Sequence, residues 1–126
     1  MSKQKFFICK HCGNLIGLIK DAGVSMICCG EKMTQLVPNT VEAAVEKHLP
    51  VVSVDGNNVT VTVGSVLHPM TEEHYIAWIY IETEKGGQRK ALSPNGEPSV
   101  TFTLSDDKAV AVFAYCNIHG LWKVEL

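Results

Sequence analysis

Apolar and polar residues alternate with a period of two through much of the chain after Val51. Val59-Thr60-Val61-Thr62-Val63 is the cleanest run, and such alternation sends successive side chains to opposite faces of a half-buried strand. Val51 to Val54 precedes it across the turn Asp55-Gly56-Asn57-Asn58. His74 to Thr83 is aromatic and β-branched, and Gly86-Gly87 is expected to close it. Pro94-Asn95-Gly96 reads as a turn, Val100 to Leu104 alternates again, and Val110 to Tyr115 and Leu121 to Leu126 complete the set. About seven short strands separated by turn signals predict a β-sandwich of immunoglobulin-like type. Trp78, Tyr75, Trp122 and Phe113 are expected in its core.

The first 37 residues follow another pattern. Leu15, Ile16, Leu18, Ile19, Val24, Met26 and Ile27 form short strand-like runs broken at Gly13, Gly17 and Gly23. A unit this short falls below the roughly 40 residues at which an apolar core suffices, so it needs a staple. Val37-Pro38-Asn39-Thr40 reads as a linker, with Thr40 expected to cap a short helix over Val41 to Lys47 before Pro50 forces an extended path. Two domains are expected, 1–37 and 38–126. Their charges differ in sign: five lysines against Asp21 and Glu31 give +3 in the first, and six basic against eleven acidic groups give −5 in the second.

Of the 126 residues 46% are hydrophobic, which is a foldable composition and excludes a disordered chain. With a net charge of −2 and a pI near 6.2, there is no basic footprint for nucleic acid. No apolar run approaches the roughly 18 residues of a membrane helix, and Met1 to Ile8 lacks a signal-peptide core, so a cytoplasmic protein is expected.

Four of the five cysteines lie in the first unit. Cys9-Lys10-His11-Cys12 is a C-x-x-C knuckle, and Gly13 lets the chain turn so that amide N–H groups can face sulfur. The second pair, Cys28-Cys29, is adjacent rather than spaced. Four thiolates favour tetrahedral zinc or iron. Adjacent ligands cannot both take the relaxed knuckle geometry, so a distorted centre is expected. Structural zinc is the plain alternative, and disulfides or unliganded thiols are the less favoured one. His11 is expected at the surface.

The second unit holds His48, His68, His74 and His119, each at a loop or strand boundary, and Cys116 three residues before His119. A histidine near a strand end is ordinarily a surface residue, but C-x-x-H at a strand exit lets a thiolate and an imidazole meet one metal. Five protein ligands exceed the four of structural zinc. An octahedral ion such as Fe(II) would keep one position open. Blue copper also uses His and Cys, but needs a methionine shortly after His119, and Gly120 to Leu126 contains none.

These motifs together resemble the desulfoferrodoxin family, the two-iron class of superoxide reductase. The resemblance covers essentially the whole chain. It rests on Cys9-x-x-Cys12 with Cys28-Cys29, Glu46-Lys47-His48-x-Pro50, Gly64-Ser65-Val66-x-His68-Pro69-Met70, His74, and Cys116-Asn117-x-His119-Gly120. It implies a desulforedoxin-like module with a distorted Fe(Cys)4 centre, an immunoglobulin-like catalytic domain, and a homodimer. It also implies Fe(II) held by His48, His68, His74 and His119 in a plane and by Cys116 axially. The implied reaction is one-electron reduction of superoxide to hydrogen peroxide, with a rubredoxin-like external donor, in oxidative-stress defence. A thiolate opposite the open position would donate electron density and favour electron release. Lys47 becomes the candidate for steering the anionic substrate and holding a proton-donating water, against its ordinary reading as a solvated lysine. Glu46 resembles the family carboxylate that occupies the sixth position of the oxidised iron.

Overall fold

The structure is a computed structural model that describes residues 2–126. They form two compact units, Lys3–Val37 and Pro38–Leu126, with Ser2 grouped with the latter.

In the smaller unit β1 (Lys5–Ile8) pairs antiparallel with both β2 (Leu15–Leu18) and β5 (Thr34–Gln35), while β3 (Ile27–Cys28) and β4 (Glu31–Lys32) form a two-stranded ribbon. Strands of two to four residues bury little: Phe6 and Cys9 are its buried residues among those described. An apolar core this small does not hold a fold by itself.

The larger unit opens on irregular chain and a four-residue helix, α1 (Val45–His48). The expected helix over Val41–Lys47 is thus shortened and shifted. Thr40 lies upstream of it, and Ala44, which has no side-chain cap, holds the N-cap position. One helical turn cannot sustain itself on backbone bonds alone. Here the Glu46 carbonyl is pinned by the Val66 N–H at 3.0 Å and the Ser65 hydroxyl at 3.2 Å.

Seven strands follow among the described residues: β6 (Pro50–Asp55), β7 (Asn58–Val63), β8 (Ile76–Thr83), β9 (Gly86–Ala91), β10 (Ser99–Thr103), β11 (Ala109–Cys116) and β12 (Gly120–Glu125). They form an antiparallel three-stranded sheet, β10-β7-β6, and an antiparallel four-stranded sheet, β12-β11-β8-β9. The alternation read along β7 is realised, since Val59, Val61 and Val63 are buried while the residues between them are not. Those valines and Phe102 face Ile79, Ile81, Val112, Ala114 and Cys116 of the other sheet in one core. Each fully buried aliphatic side chain there contributes about 1.5–3 kcal/mol of transfer free energy.

β9 is the strand the pattern misses. The turn that ends β8 is Glu84-Lys85, and Gly86-Gly87 begin the next strand instead of closing the last. β9 is exposed throughout, so it carries no apolar alternation. Gln88, Arg89 and Lys90 give it the polar character that keeps an edge strand from pairing with another chain. Gly87 is required there because a Cβ would collide with the Tyr80 ring. His74 and Tyr75 lie before β8, not within it, and Tyr75 is half-buried.

Gly64, just after β7, shows a second close approach. A Cβ at that position would lie 2.5 Å from the Glu46 carbonyl oxygen and 3.0 Å from that of Leu49. Backbone on both sides leaves no flexible group to yield. Gly64→Ala is expected to destabilise the domain by about 1–3 kcal/mol, in the range of other overpacking substitutions, as a lower melting temperature in calorimetry.

Candidate metal centres

Cys9 leaves the end of β1 and is buried, Cys28 closes β3, and the thiol sulfurs of Cys9, Cys12, Cys28 and Cys29 all lie within 4.8 Å of one another. The knuckle is closed by Gly13 N–H donating to the Cys9 carbonyl at 2.9 Å, and Cys12 N–H faces the Cys9 sulfur at 3.5 Å. Asn14 contributes twice, with its backbone N–H 3.5 Å from the Cys12 sulfur and its side-chain amide 3.8 Å from that of Cys28. Adjacent cysteines both reach the cluster because Cys29 takes a left-handed φ of +53°. That conformation is uncommon for a residue with a Cβ.

The thiols' acidities diverge. The Cys12 backbone N–H is the main reason Cys9 is lowered to about 6, while the neighbouring thiols, Cys12 foremost, push Cys29 up to about 12. Four sulfurs this close become thiolates together only around a cation. His11 stays out of the cluster, exposed and 3.0 Å from the Glu31 carboxylate.

The second cluster lies at one end of the sandwich. His48 ends α1 just before β6, His68 follows β7, His74 precedes β8, Cys116 ends β11 and His119 precedes β12. One donor atom each from His48, His68, His74 and Cys116 falls within a 4.8 Å span. His119 joins them, with Nδ1 3.2 Å from His48 Nε2 and 3.9 Å from Cys116 Sγ. The four imidazoles form a closed cycle. Neighbouring ring centroids are 4.6–5.0 Å apart with interplanar angles of 79–83°, and the opposite pair His48 and His74 is 6.4 Å apart at 31°. Cys116 is fully buried, while His74 and His119 are partly exposed.

Hydrogen bonding shows what the cycle lacks. His48 Nδ1 lies 2.7 Å from the Ala44 carbonyl, and His68 Nδ1 lies 2.7 Å from that of Pro69. A carbonyl only accepts, so both Nδ1 atoms carry the proton and both Nε2 atoms carry lone pairs. Those two Nε2 atoms face each other at 3.2 Å. His74 Nε2 is buried with no hydrogen-bond partner among the described residues. Protonation is no remedy. Burial is the main cause that lowers His48, His68 and His74, with His68 brought down to about 4. A metal cation satisfies all of these lone pairs at once. Burial also pushes the Cys116 thiol up, opposed by the backbone N–H groups of His119 and Ile118. Coordination would therefore be what makes it a thiolate.

Four imidazoles and a thiolate exceed the donor number of structural zinc and leave one octahedral position for a small ligand. The desulfoferrodoxin family model matches residues 40–125. The chain belongs to the desulfoferrodoxin family. A desulfoferrodoxin from Nitratidesulfovibrio vulgaris is 40% identical over 124 residues, covering 98% of each chain. The superoxide reductase of Treponema pallidum is similar in structure, with a TM-score of 0.83 and 45% identity over 98% of this chain and all of that one. A one-iron superoxide reductase from Giardia intestinalis matches 64% of this chain and 99% of its own, with a TM-score of 0.54 and 36% identity. Family membership and the two donor sets together make these two iron centres, one with four cysteines and one with four histidines and a cysteine.

Glu46 and Lys47 are exposed on α1 beside His48. Behind the effect of burial, their charges act on the His48 imidazole in opposite senses, and that of Lys47 also reaches His74.

Trp122 carries more than the core position read for it. It is 2% exposed, stacks on the His48 ring at 4.8 Å and 29°, and donates its indole N–H to the His119 carbonyl at 3.1 Å. Its place three residues after His119 in the chain was the available signal. The carbonyls of Ala44 and Pro69 left none, because a backbone acceptor has no residue signature. Trp122→Leu removes both the stacking face and the N–H donor. It is expected to weaken iron at the four-histidine centre by about 10–100-fold in chelator competition, and Trp122→Phe, which keeps the face, to weaken it less.

Proposed function

We propose that this chain is a superoxide reductase, converting superoxide to hydrogen peroxide at the four-histidine centre. The observation that carries this reading is the cluster of four imidazoles and one thiol, with His48, His68 and Cys116 buried, whose lone pairs a single cation would satisfy with one octahedral position to spare. Iron(II) held by His48, His68, His74, His119 and Cys116 would supply one electron to superoxide and recover it from an external one-electron donor. The Ala44 and Pro69 carbonyls orient two of the imidazoles, and the His119 N–H, 3.4 Å from the Cys116 sulfur, moderates the thiolate's charge.

Two protons must accompany the electron. Lys47, exposed and adjacent to His48, would act as a local positive charge in a unit of formal charge −5. Its ammonium draws the anion over the last 8 Å or so, the range that physiological salt leaves unscreened, and holds a water that donates protons. Glu46, one residue away, would be the carboxylate available to the open position when the centre is oxidised.

Residues 1–37 serve as an auxiliary redox module and residues 38–126 as the catalytic domain. A rubredoxin-like protein is the donor. The chain works as a homodimer, in keeping with exposed Ile19, Val24 and Ile27 on a small unit with little core. Four thiolates committed to one metal suit the reducing cytoplasm and a role in oxidative-stress defence.

Lys47→Ala should slow the bimolecular reaction with superoxide about tenfold in pulse radiolysis and flatten its ionic-strength dependence; an unchanged rate and salt slope would remove Lys47 from the mechanism. Cys116→Ser should abolish the thiolate-to-iron charge-transfer band of the four-histidine centre and leave those of the four-cysteine centre in place. With reductant supplied, the protein should form one peroxide per superoxide consumed. Release of dioxygen without need of a donor would make it a dismutase instead.

A further inference from the structure

Three of the four imidazoles at the four-histidine centre have visible supports. His48 and His68 each hold a carbonyl through Nδ1, and the carbonyl of His119 takes the Trp122 indole N–H. The ring of His74 has no such tether, and its Nε2 is buried without a partner among the described residues. Its backbone is held by Thr71, whose hydroxyl accepts the His74 N–H at 3.1 Å and whose N–H donates to the His74 carbonyl at 2.9 Å, but Thr71 belongs to the same short turn. Something outside that turn must fix it against the other ligands.

Asn117 meets this need. It lies between Cys116 and His119, and its side chain reaches the residues on either side of His74. Oδ1 accepts the Tyr75 N–H at 2.9 Å, and Nδ2 donates to the Glu73 carbonyl at 3.0 Å. The Asn117 N–H donates to the Tyr75 carbonyl at 3.2 Å, which closes a three-bond clasp. One planar amide thus grips the backbone before and after His74 and ties it to the turn that carries Cys116 and His119. Only an amide offers an acceptor and a donor at these two positions; aspartate of the same shape keeps the first and sets a second acceptor against the Glu73 carbonyl.

We propose that Asn117 is a positioning residue that holds His74 in ligating place by clasping the backbone on both sides of it. It rests on the assignment of an iron site there, not on the superoxide chemistry. A metal-analysis and spectroscopic control on the unaltered protein therefore separates failure of the site from failure of the clasp.

The test is a cycle in the full-length chain with the four-cysteine site filled, reading Fe(II) affinity at the four-histidine centre against a competing chelator. Asn117→Ala should lower that affinity at least tenfold and change the electron paramagnetic resonance anisotropy of the ferric centre. Asn117→Asp should fall between, and it serves as the variant of record if the alanine protein does not fold. In a His74→Ala background, where there is no ring left to position, either Asn117 substitution should cost no further affinity. An equal loss in both backgrounds would show that Asn117 merely supports the turn, and no loss in the unaltered background would show that the clasp is dispensable. Either result overturns the proposal.

Discussion

Two imidazole nitrogens that both carry lone pairs face each other at 3.2 Å, and the rest of the catalytic unit depends on resolving that contact. The carbonyls of Ala44 and Pro69 hold the protons on the far side of each ring, so neither nitrogen can donate to the other. Burial disfavours taking up a further proton. The arrangement is therefore poised for a cation, and iron binding and local order are two views of one free energy. The four-cysteine unit follows the same logic with sulfur. There a cation lets four crowded thiols ionise together and supplies the cohesion that a core with few buried side chains lacks.

The sandwich contributes rigidity at the ends of its strands. Cys116 belongs at once to the apolar core and to the metal site, being the last residue of β11 and packed with Val63 and Ile76. A ligand anchored in this way cannot move without disturbing close-packed neighbours. His48 ends α1 and the other histidines sit on connecting segments, and each is restrained by a carbonyl, an indole N–H or an amide clasp on the flanking backbone. This division between a rigid core sulfur and tethered imidazoles is how short connections can build a precise site.

Electrostatics separate the two units in character. The first is basic and the second acidic, so a superoxide anion approaching the catalytic unit meets an unfavourable net field. Under the proposed function, local positive charge must offset that field, and Lys47, on a helical turn whose backbone is pinned by Ser65 and Val66, is the cation proposed for it.

Much of this was legible in the chain. Period-two alternation marks β7, and the C-x-x-C and C-x-x-H spacings mark sulfur and imidazole donors, because strand pleat and ligand reach are local properties that a few consecutive residues express. His48, His68, His74 and His119 stand out as candidates by lying at strand boundaries near C-x-x-H, but their assignment to one ion came from the family's motifs, since no local rule links positions so far apart. The limits fell where a residue's meaning depends on a neighbour distant in sequence. β9 has no alternation because both its faces are exposed, and Gly87 belongs to a strand only because the Tyr80 ring lies against it. The helix that Thr40 was to cap forms later, where the segment from Gly64 to Val66 braces it. Trp122 is apolar by type and a ligand support by contact. Sequence thus determined which atoms can bind metal and which segments can be strands. Tertiary structure decided which nitrogen of each ring faces the metal, because that choice is made by carbonyls, rings and amides that only folding brings within hydrogen-bond range.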